Sequence, residues 1–184
     1  MGAAPHHRRV SGDLEFDLDT GGAHGGFGRG LWWSTLEDRV EVDAPPEVVW
    51  AWLSALADQY TEWHPDHISA RWIRGEPNQV GSRLEAIEYL AGHREKLIFE
   101  MTGVDPPRRL EYRILGPHAF LLPGGRFVIA LRDHGSVFRA AIDIRWGRLA
   151  ARVFRRRMEA LRTHMHEEGQ SLKRLIEASV QQAD

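Results

Sequence analysis

Apolar residues recur at spacings of three and four along the end of the chain, from Arg148 to about Ala178. This spacing predicts one long amphipathic helix with a single buried stripe, and at about 100° per residue Glu168 falls inside that stripe. His164, one turn earlier, lies on its flank. A buried carboxylate is costly unless another group pairs with it, so this helix carries the first candidate functional residues. The stripe consists of Phe154, Met158, Leu161, Met165, Leu172, Leu175 and Ser179.

A different pattern, the alternation of apolar and polar residues, runs from Ala70 to Trp146 and predicts an antiparallel meander. Before it, Val40 and Val42 alternate with acidic residues and indicate a strand. Pro45 and Pro46 then begin the first of two short helices. The turns of the meander are marked by segments 75–78, 91–92, 105–107 and 133–136.

One strand, two short helices, a run of antiparallel strands and a long terminal helix make an α+β plan. The sheet and the terminal helix each have one apolar face to bury. We therefore expect a curved antiparallel sheet wrapped around the C-terminal helix, with a cavity between them. Residues 31–184 are predicted to form this single domain. Residues 1–30 are rich in glycine and polar residues and are predicted to be a mobile lead-in.

Composition removes several classes of function. The formal net charge of −2 argues against a general nucleic-acid binder, and the absence of cysteine excludes disulfides and thiolate chemistry. Any metal must therefore be held by histidine, aspartate or glutamate. No apolar run approaches the roughly 18 residues of a membrane span, and the first residues lack the apolar core of a signal peptide. We expect a cytoplasmic protein that does not contact a membrane.

Glu95 is a second carboxylate on an apolar face. In the predicted strand from His93 to Thr102 it shares one side with Leu97 and Phe99. His64 lies in the short segment after the second helix, where the following proline disfavours helical backbone and constrains the direction of the ring. Two inward carboxylates and two histidines could therefore converge at the mouth of the cavity.

Such a group would supply four oxygen and nitrogen ligands to a metal ion. Zinc is the first candidate, with iron(II) and manganese as alternatives. The structural alternative is that each carboxylate is a core residue hydrogen-bonded to a histidine or an arginine, because His-x-x-x-Glu is common on helices. The predicted ligands are His64, Glu95, His164 and Glu168.

The order of elements resembles the START/Bet v 1-like (SRPBCC) helix-grip superfamily. The residues that carry this resemblance are Val40–Trp50, which read VEVDAPPEVVW, then Trp63-x-Pro65, and the long final helix. The resemblance covers about residues 38–182. It implies a cavity for a small hydrophobic or aromatic ligand.

The four predicted ligands are also similar in order and type to those of the zinc-dependent diacetylphloroglucinol/phloretin hydrolase family. That resemblance implies hydrolysis of a carbon–carbon bond between an acyl group and an aromatic ring. The chain departs from the family in being shorter and in having His67 where the family has asparagine.

Cleavage of an acyl–carbon bond requires a proton for the departing carbon, so an acid/base residue is needed. His67 is the first candidate and His118 the second, although either one is equally interpreted as a solvated loop histidine. An apolar pocket for an aromatic ring is expected as well. The alternative interpretation is that the residues predicted to line it are simply part of the hydrophobic core. The lining residues are Leu97, Phe99, Phe127 and Trp146.

Two other functions fit the same sequence. A non-enzymatic carrier or sensor of a small hydrophobic molecule would need only the cavity. A metal-free polyketide cyclase would need acid/base residues but would tolerate chelation. The oligomeric state stays open, with a homodimer among the alternatives.

Overall fold

The computed structural model describes residues 31–147 and 155–183. The predicted lead-in, residues 1–30, therefore lies outside the described residues. The described elements are β1 (Leu31–Val42), α1 (Pro46–Ser54), α2 (Leu56–Trp63), β2 (His67–Arg74), β3 (Arg83–Leu90), β4 (His93–Asp105), β5 (Arg109–Leu115), a 3₁₀ helix (Pro117–Phe120), β6 (Gly124–Arg132), β7 (Gly135–Gly147) and α3 (Arg155–Ala183).

All seven strands form one antiparallel sheet in the order β1-β7-β6-β5-β4-β3-β2. The first strand pairs with the last, so β1 and β2 occupy opposite edges although they follow one another in the chain. Helices α1 and α2 make the connection between these two edges. The predicted α+β helix-grip fold, a curved sheet around a long C-terminal helix with two short helices after the first strand, is confirmed.

Helix α3 buries the middle of the predicted stripe, whereas Met158 is half-buried, Ser179 is exposed and Phe154 lies outside the described residues. Leu161, Met165 and Leu172 are buried, and so is Ile176. Leu175, which the spacing also placed in the stripe, is only half-buried. Buried residues of the sheet and of α1 and α2 complete a continuous core around this stripe. No helix in the described part of the chain has the length and apolar character needed to cross a membrane.

The absence of a side chain at Gly125 on β6 leaves room for the ring of Tyr112. A side chain at Gly125 on β6 would overlap the carbonyl of Ala141, and its Cβ would lie 2.6 Å from the Tyr112 hydroxyl. Only glycine leaves this space free. The ring of Tyr112 can therefore lie across β6 and face α3.

Leu172→Ala is expected to lower the free energy of unfolding by about 2–5 kcal/mol, because Leu172 is fully buried and the truncation leaves a cavity. Leu131→Ala is the matched control. Leu131 is 78% exposed, so its truncation is expected to change stability by no more than about 0.5 kcal/mol. Chemical denaturation of both variants measures the difference. Equal losses would contradict the assignment of Leu172 to the core.

Candidate active site

The segment between α2 and β2 holds two histidines at the ends of one tight turn. His64 has extended backbone (φ −147°, ψ 142°), as the following Pro65 requires. The amide of His67 donates to the carbonyl of His64 at 3.0 Å, which closes the turn. The indole Nε1 of Trp63 donates to the carbonyl of Glu168 at 2.9 Å. This bond fixes the end of α2, and with it both histidines, beside the middle of α3.

Five ionisable side chains meet at this point, and we call them the His/Glu cluster. One ring nitrogen from each of its three histidines lies within 4.8 Å of the other two. All three histidines are at most 8% exposed, and the two carboxylate side chains are 8% and 17% exposed. The cluster consists of His64, His67, Glu88, His164 and Glu168.

The hydrogen bonds of His67 define which of its nitrogens is free. Its Nδ1 lies 2.9 Å from the carbonyl oxygen of Tyr60, which only accepts, so Nδ1 carries the proton. In the neutral ring, Nε2 then presents a lone pair. That lone pair lies 2.9 Å from Oε1 of Glu168, yet it is buried and not aligned for a hydrogen bond. Two acceptors at this distance repel each other unless a cation lies between them.

His164 reaches the same carboxylate oxygen from α3 itself. Its Nε2 lies 3.6 Å from Oε1 of Glu168, one helical turn away, and is likewise buried without a hydrogen-bond partner. Its Nδ1 faces Oδ2 of Asp66 at 3.8 Å. A carboxylate on the outer nitrogen favours the tautomer in which the inner nitrogen is free to bind a metal.

His64 differs from the other two histidines because both of its nitrogens have partners. Its Nδ1 accepts the amide hydrogen of Asp66 at 3.1 Å, and its Nε2 lies 3.3 Å from Oε2 of Glu167. His64 would become a metal ligand only by giving up one of these bonds. Otherwise it packs edge-on against His164, with ring centroids 4.3 Å apart.

The strand carboxylate of the cluster is Glu88, which the sequence analysis did not identify. It extends from β3 and accepts a hydrogen bond from the hydroxyl of Tyr60, and its Oε2 lies 3.6 Å from Nε2 of His67. The signal was present, because Leu84, Ala86 and Glu88 alternate onto one face of β3. Glu88 was overlooked because the same strand carries a second glutamate, which faces the other side of the sheet.

Burial and mutual charge shift the pKa values of the cluster. Burial raises the pKa of Glu88, and the nearby Glu168 raises it further. Burial also acts to raise the pKa of Glu168, but the two imidazoles of His164 and His67 outweigh it and hold that pKa at about 2. For His164, burial acts to lower the pKa, and Glu168 reverses the direction so that it is raised. Burial and the adjacent His164 lower the pKa of His64.

The structure places two of the predicted site residues outside the cluster. Glu95 lies directly opposite Glu88 in the β3–β4 pair, one strand further from β2. Its carboxylate turns instead to Nη2 of Arg157 at 2.9 Å and to Nε2 of His118 at 3.6 Å. The expectation that Glu95 lies beside the other predicted ligands is therefore corrected: the strand carboxylate that lies beside them is Glu88. His118, the second acid/base candidate, lies beside Glu95 and therefore also outside the cluster.

A largely apolar cavity lies between the sheet and α3, with part of the cluster in its wall. Its unfilled space, counted with the part that is open to solvent, is about 820 Å³. Three of the predicted lining residues, Leu97, Phe99 and Phe127, do line it. The side chain of Trp146, the fourth, lies outside the described residues. Tyr60, Glu88, Tyr112, His164 and Glu168 supply the polar part of the wall.

This arrangement suits a cation in three respects. The free Nε2 atoms of His67 and His164 converge on one carboxylate oxygen, and a second carboxylate lies within reach. A proton on one ring satisfies one of the two nitrogens, whereas a metal ion accepts lone pairs from both and from the carboxylate. Two imidazoles and a carboxylate, with a further position open, are a ligand set typical of catalytic zinc.

Residues 34–177 match a protein family described as "Polyketide cyclase / dehydrase and lipid transport". A search of curated protein sequences gave no match.

Solved structures with similar folds include two aromatase/cyclases and one synthase. The aromatase/cyclase Zhui from Streptomyces sp. R1128 has a TM-score of 0.68 at 17% identity, over 81% of this chain and 96% of that chain. Norcoclaurine synthase from Thalictrum flavum has a TM-score of 0.65 at 11% identity, over 81% and 97% of the two chains. The di-domain ARO/CYC protein BexL from the BE-7585A biosynthetic pathway has a TM-score of 0.63 at 19% identity, over 77% of this chain. The match covers 49% of BexL, so the chain spans about half of that protein's length. At these identities the similarity shows the fold alone.

Proposed function

Because this chain belongs to the polyketide cyclase/dehydrase and lipid transport family, we propose that it is an enzyme that transforms a small aromatic or polyketide-like ketone in its cavity. The observation that carries this proposal is the His/Glu cluster. His164, with its unpartnered nitrogen, and the carboxylates of Glu88 and Glu168 line the apolar cavity, so a bound ligand would meet them directly. A cavity used only for binding has no need for such a costly group.

The proposed metal ion is zinc, held by His67, His164 and Glu168, with Glu88 or His64 as a further ligand. Iron(II) and manganese accept the same ligands and remain alternatives. When bound, the ion would polarise a ketone oxygen and lower the pKa of a water molecule. Asp66 would orient His164, and the carbonyl of Tyr60 would orient His67, so that each presents its inner nitrogen.

The reaction we propose is hydrolysis of the bond between an acyl carbon and an aromatic ring carbon. The acyl carbon gains a hydroxyl group from water and leaves as a carboxylic acid, and the ring carbon gains a proton. The Tyr60–Glu88 pair is the natural source of that proton, because the two side chains share one hydrogen bond in the cavity wall. His67, the first acid/base candidate from the sequence, is better placed as a ligand, since its only free nitrogen faces Glu168.

The second candidate function is metal-free cyclisation or dehydration of a polyketide-like chain. It is favoured by the family's description and by the Tyr60–Glu88 pair, which could move a proton without a metal. In that enzyme His164 and Glu168 would be a buried ion pair that orients the substrate. The two candidates differ in their products and in their response to chelation.

The deciding experiment is an assay of the zinc-loaded protein with mono- and diacylated trihydroxybenzenes. Hydrolysis is expected to release carboxylic acid and deacylated arene in equal amounts, to stop on chelation and to resume on addition of zinc. His164→Ala is expected to lower kcat by at least about 100-fold, because a catalytic metal contributes several kcal/mol. His134→Ala, at an exposed turn, is the matched control and should leave kcat unchanged.

Chromatography with mass detection separates the outcomes. Loss of water from the substrate, unaffected by chelator, would replace hydrolysis with the cyclase/dehydratase function. Tight binding of these ketones without any product would overturn the hydrolase proposal.

A further inference from the structure

A second cavity, which we call the vestibule, adjoins the main one. It contains about 880 Å³ of unfilled space, partly open to solvent, between the β3–β4 turn, the 3₁₀ helix and the start of α3. Leu90, Leu122 and Leu161 line both cavities, so the two are neighbours that share these three side chains. A ligand that reaches the His/Glu cluster from solvent by this route passes through the vestibule.

The wall of the vestibule is apolar except at one point. The polar exceptions among its lining residues are Glu95, His118 and Arg157, and the last two each contact Glu95. Oε1 of Glu95 lies 2.9 Å from Nη2 of Arg157, and Oε2 lies 3.6 Å from Nε2 of His118. An apolar pocket with a few convergent polar groups is the usual construction of a binding subsite.

These three side chains keep spare hydrogen-bonding capacity. A carboxylate has about four acceptor positions, and among the described residues Glu95 accepts one hydrogen bond, from Arg157, with His118 at the longer distance of 3.6 Å. A guanidinium has five donors, and one of those of Arg157 faces Glu95. A carboxylate in the wall disfavours an anionic ligand. A neutral hydroxyl group, by contrast, can donate to Glu95 and accept from Arg157 or His118.

The distance between Arg157 in the vestibule and the His/Glu cluster sets the length of a ligand that contacts both. Arg157 and His164 both extend from α3 and are seven residues apart, which is roughly 10 Å along the helix axis. A single benzene ring is too short to reach from one to the other. Two fused or linked rings, with a ketone at one end and a hydroxyl at the other, match this separation.

We propose that Glu95, with Arg157 and His118, forms a specificity subsite that binds a phenolic hydroxyl of a two-ring or longer aromatic ketone, whose carbonyl lies at the His/Glu cluster. This inference rests on the proposed function, because it takes the cavity to bind an aromatic ketone. It assigns a role to Glu95 and His118, which the cluster leaves out.

The test uses three rigid two-ring probes: 2-acetylnaphthalene and its 6-hydroxy and 6-methoxy derivatives. The full-length protein is expected to bind the 6-hydroxy ketone about 10-fold more tightly than the unsubstituted one, as expected for a hydrogen bond to a charged group. The methoxy compound cannot donate a hydrogen bond and should bind no better than the parent. Calorimetry or ligand fluorescence measures the three dissociation constants.

In Glu95→Leu the preference for the hydroxyl compound is expected to fall below about 2-fold, while the affinity for unsubstituted 2-acetylnaphthalene is retained. Glu95→Gln, which preserves shape, should give an intermediate preference and guards against a folding defect in the leucine variant. Glu76→Leu, at an exposed turn, is the control and should keep the full preference.

Equal binding of all three ketones by the unmutated protein, a preference that survives in Glu95→Leu, or no binding of any probe at millimolar concentration would each overturn the subsite. Metal content is measured on the same preparations. A protein that lacks zinc but shows the Glu95-dependent preference would overturn the zinc chemistry and leave the subsite standing.

Discussion

Purified without chelators, the protein is expected to contain about one zinc ion per chain, and Glu168→Ala is expected to lose it. Oε1 of Glu168 is the atom on which the free nitrogens of His67 and His164 converge. Removing this carboxylate takes away one ligand and the negative charge that offsets the metal. Substitution of residues that merely support ligands typically costs 10–100-fold in affinity, so loss of the ligand itself should cost at least about 100-fold.

Elemental analysis of the purified proteins, with chelator competition for affinity, measures this effect. Glu95→Leu is the matched control, because Glu95 is also a glutamate on the inner face of the sheet but points to Arg157. It should retain zinc, and Glu88→Ala should bind zinc more weakly. If the unmutated protein takes up no stoichiometric metal, even after incubation with zinc, the metal proposal is wrong. Loss of zinc in Glu95→Leu with retention in Glu88→Ala would restore the sequence-based ligand set.

Helical periodicity located two of the five cluster residues because a helix has one buried stripe. The spacing of Leu161, Met165 and Leu172 is enough to orient every residue of α3 about its axis. His164 and Glu168 could therefore be placed from the sequence alone. His64 was found for a related reason, since Pro65 restricts its backbone whatever the tertiary structure.

The alternation of residues along a strand gives less positional information than helical spacing. For this reason Glu95, and not Glu88, was predicted to be the strand ligand. A period of two shows which face of the sheet a side chain occupies, but not how far it lies from a given helix. Glu88 and Glu95 share the inner face and lie opposite each other. Only the curvature of the sheet and the position of α2 bring Glu88 to the histidines. No local pattern in either strand contains that information.

The role of His67 depends on its contact with Tyr60, which also cannot be predicted from the sequence. As a loop histidine it was interpreted as an acid/base residue or as a solvated side chain. In the structure it is buried and stacks on Tyr60, with ring centroids 3.9 Å apart. The carbonyl of the same tyrosine holds its Nδ1. Its free nitrogen is therefore set by one backbone oxygen seven residues earlier.

Chelation is expected to lower the melting temperature of the zinc-loaded protein by about 10 °C. An ion that binds the folded state and is present at about 1,000 times its dissociation constant stabilises that state by about 4 kcal/mol. For a domain of this size, each kcal/mol corresponds to about 2–4 °C. Thermal melts with and without EDTA measure the shift. Glu168→Ala, which holds no metal, should melt at the same temperature in both buffers.

The shift should grow as the pH rises from 6 to 8, because protons and the metal compete for the same cluster. Although burial acts to lower the pKa of His164, the carboxylate of Glu168 raises it above its ordinary value of 6.5. A raised folded-state pKa stabilises the metal-free protein fully below pH 6.5, and this stabilisation is lost as the pH rises through the folded pKa. At pH 6 the protonated imidazole of His164 therefore replaces part of what the metal contributes, and metal affinity also falls. At pH 8 the chelated protein retains two facing sets of lone pairs with no cation between them. The absence of an EDTA shift at both pH values would show that His164 and Glu168 form an ordinary buried ion pair.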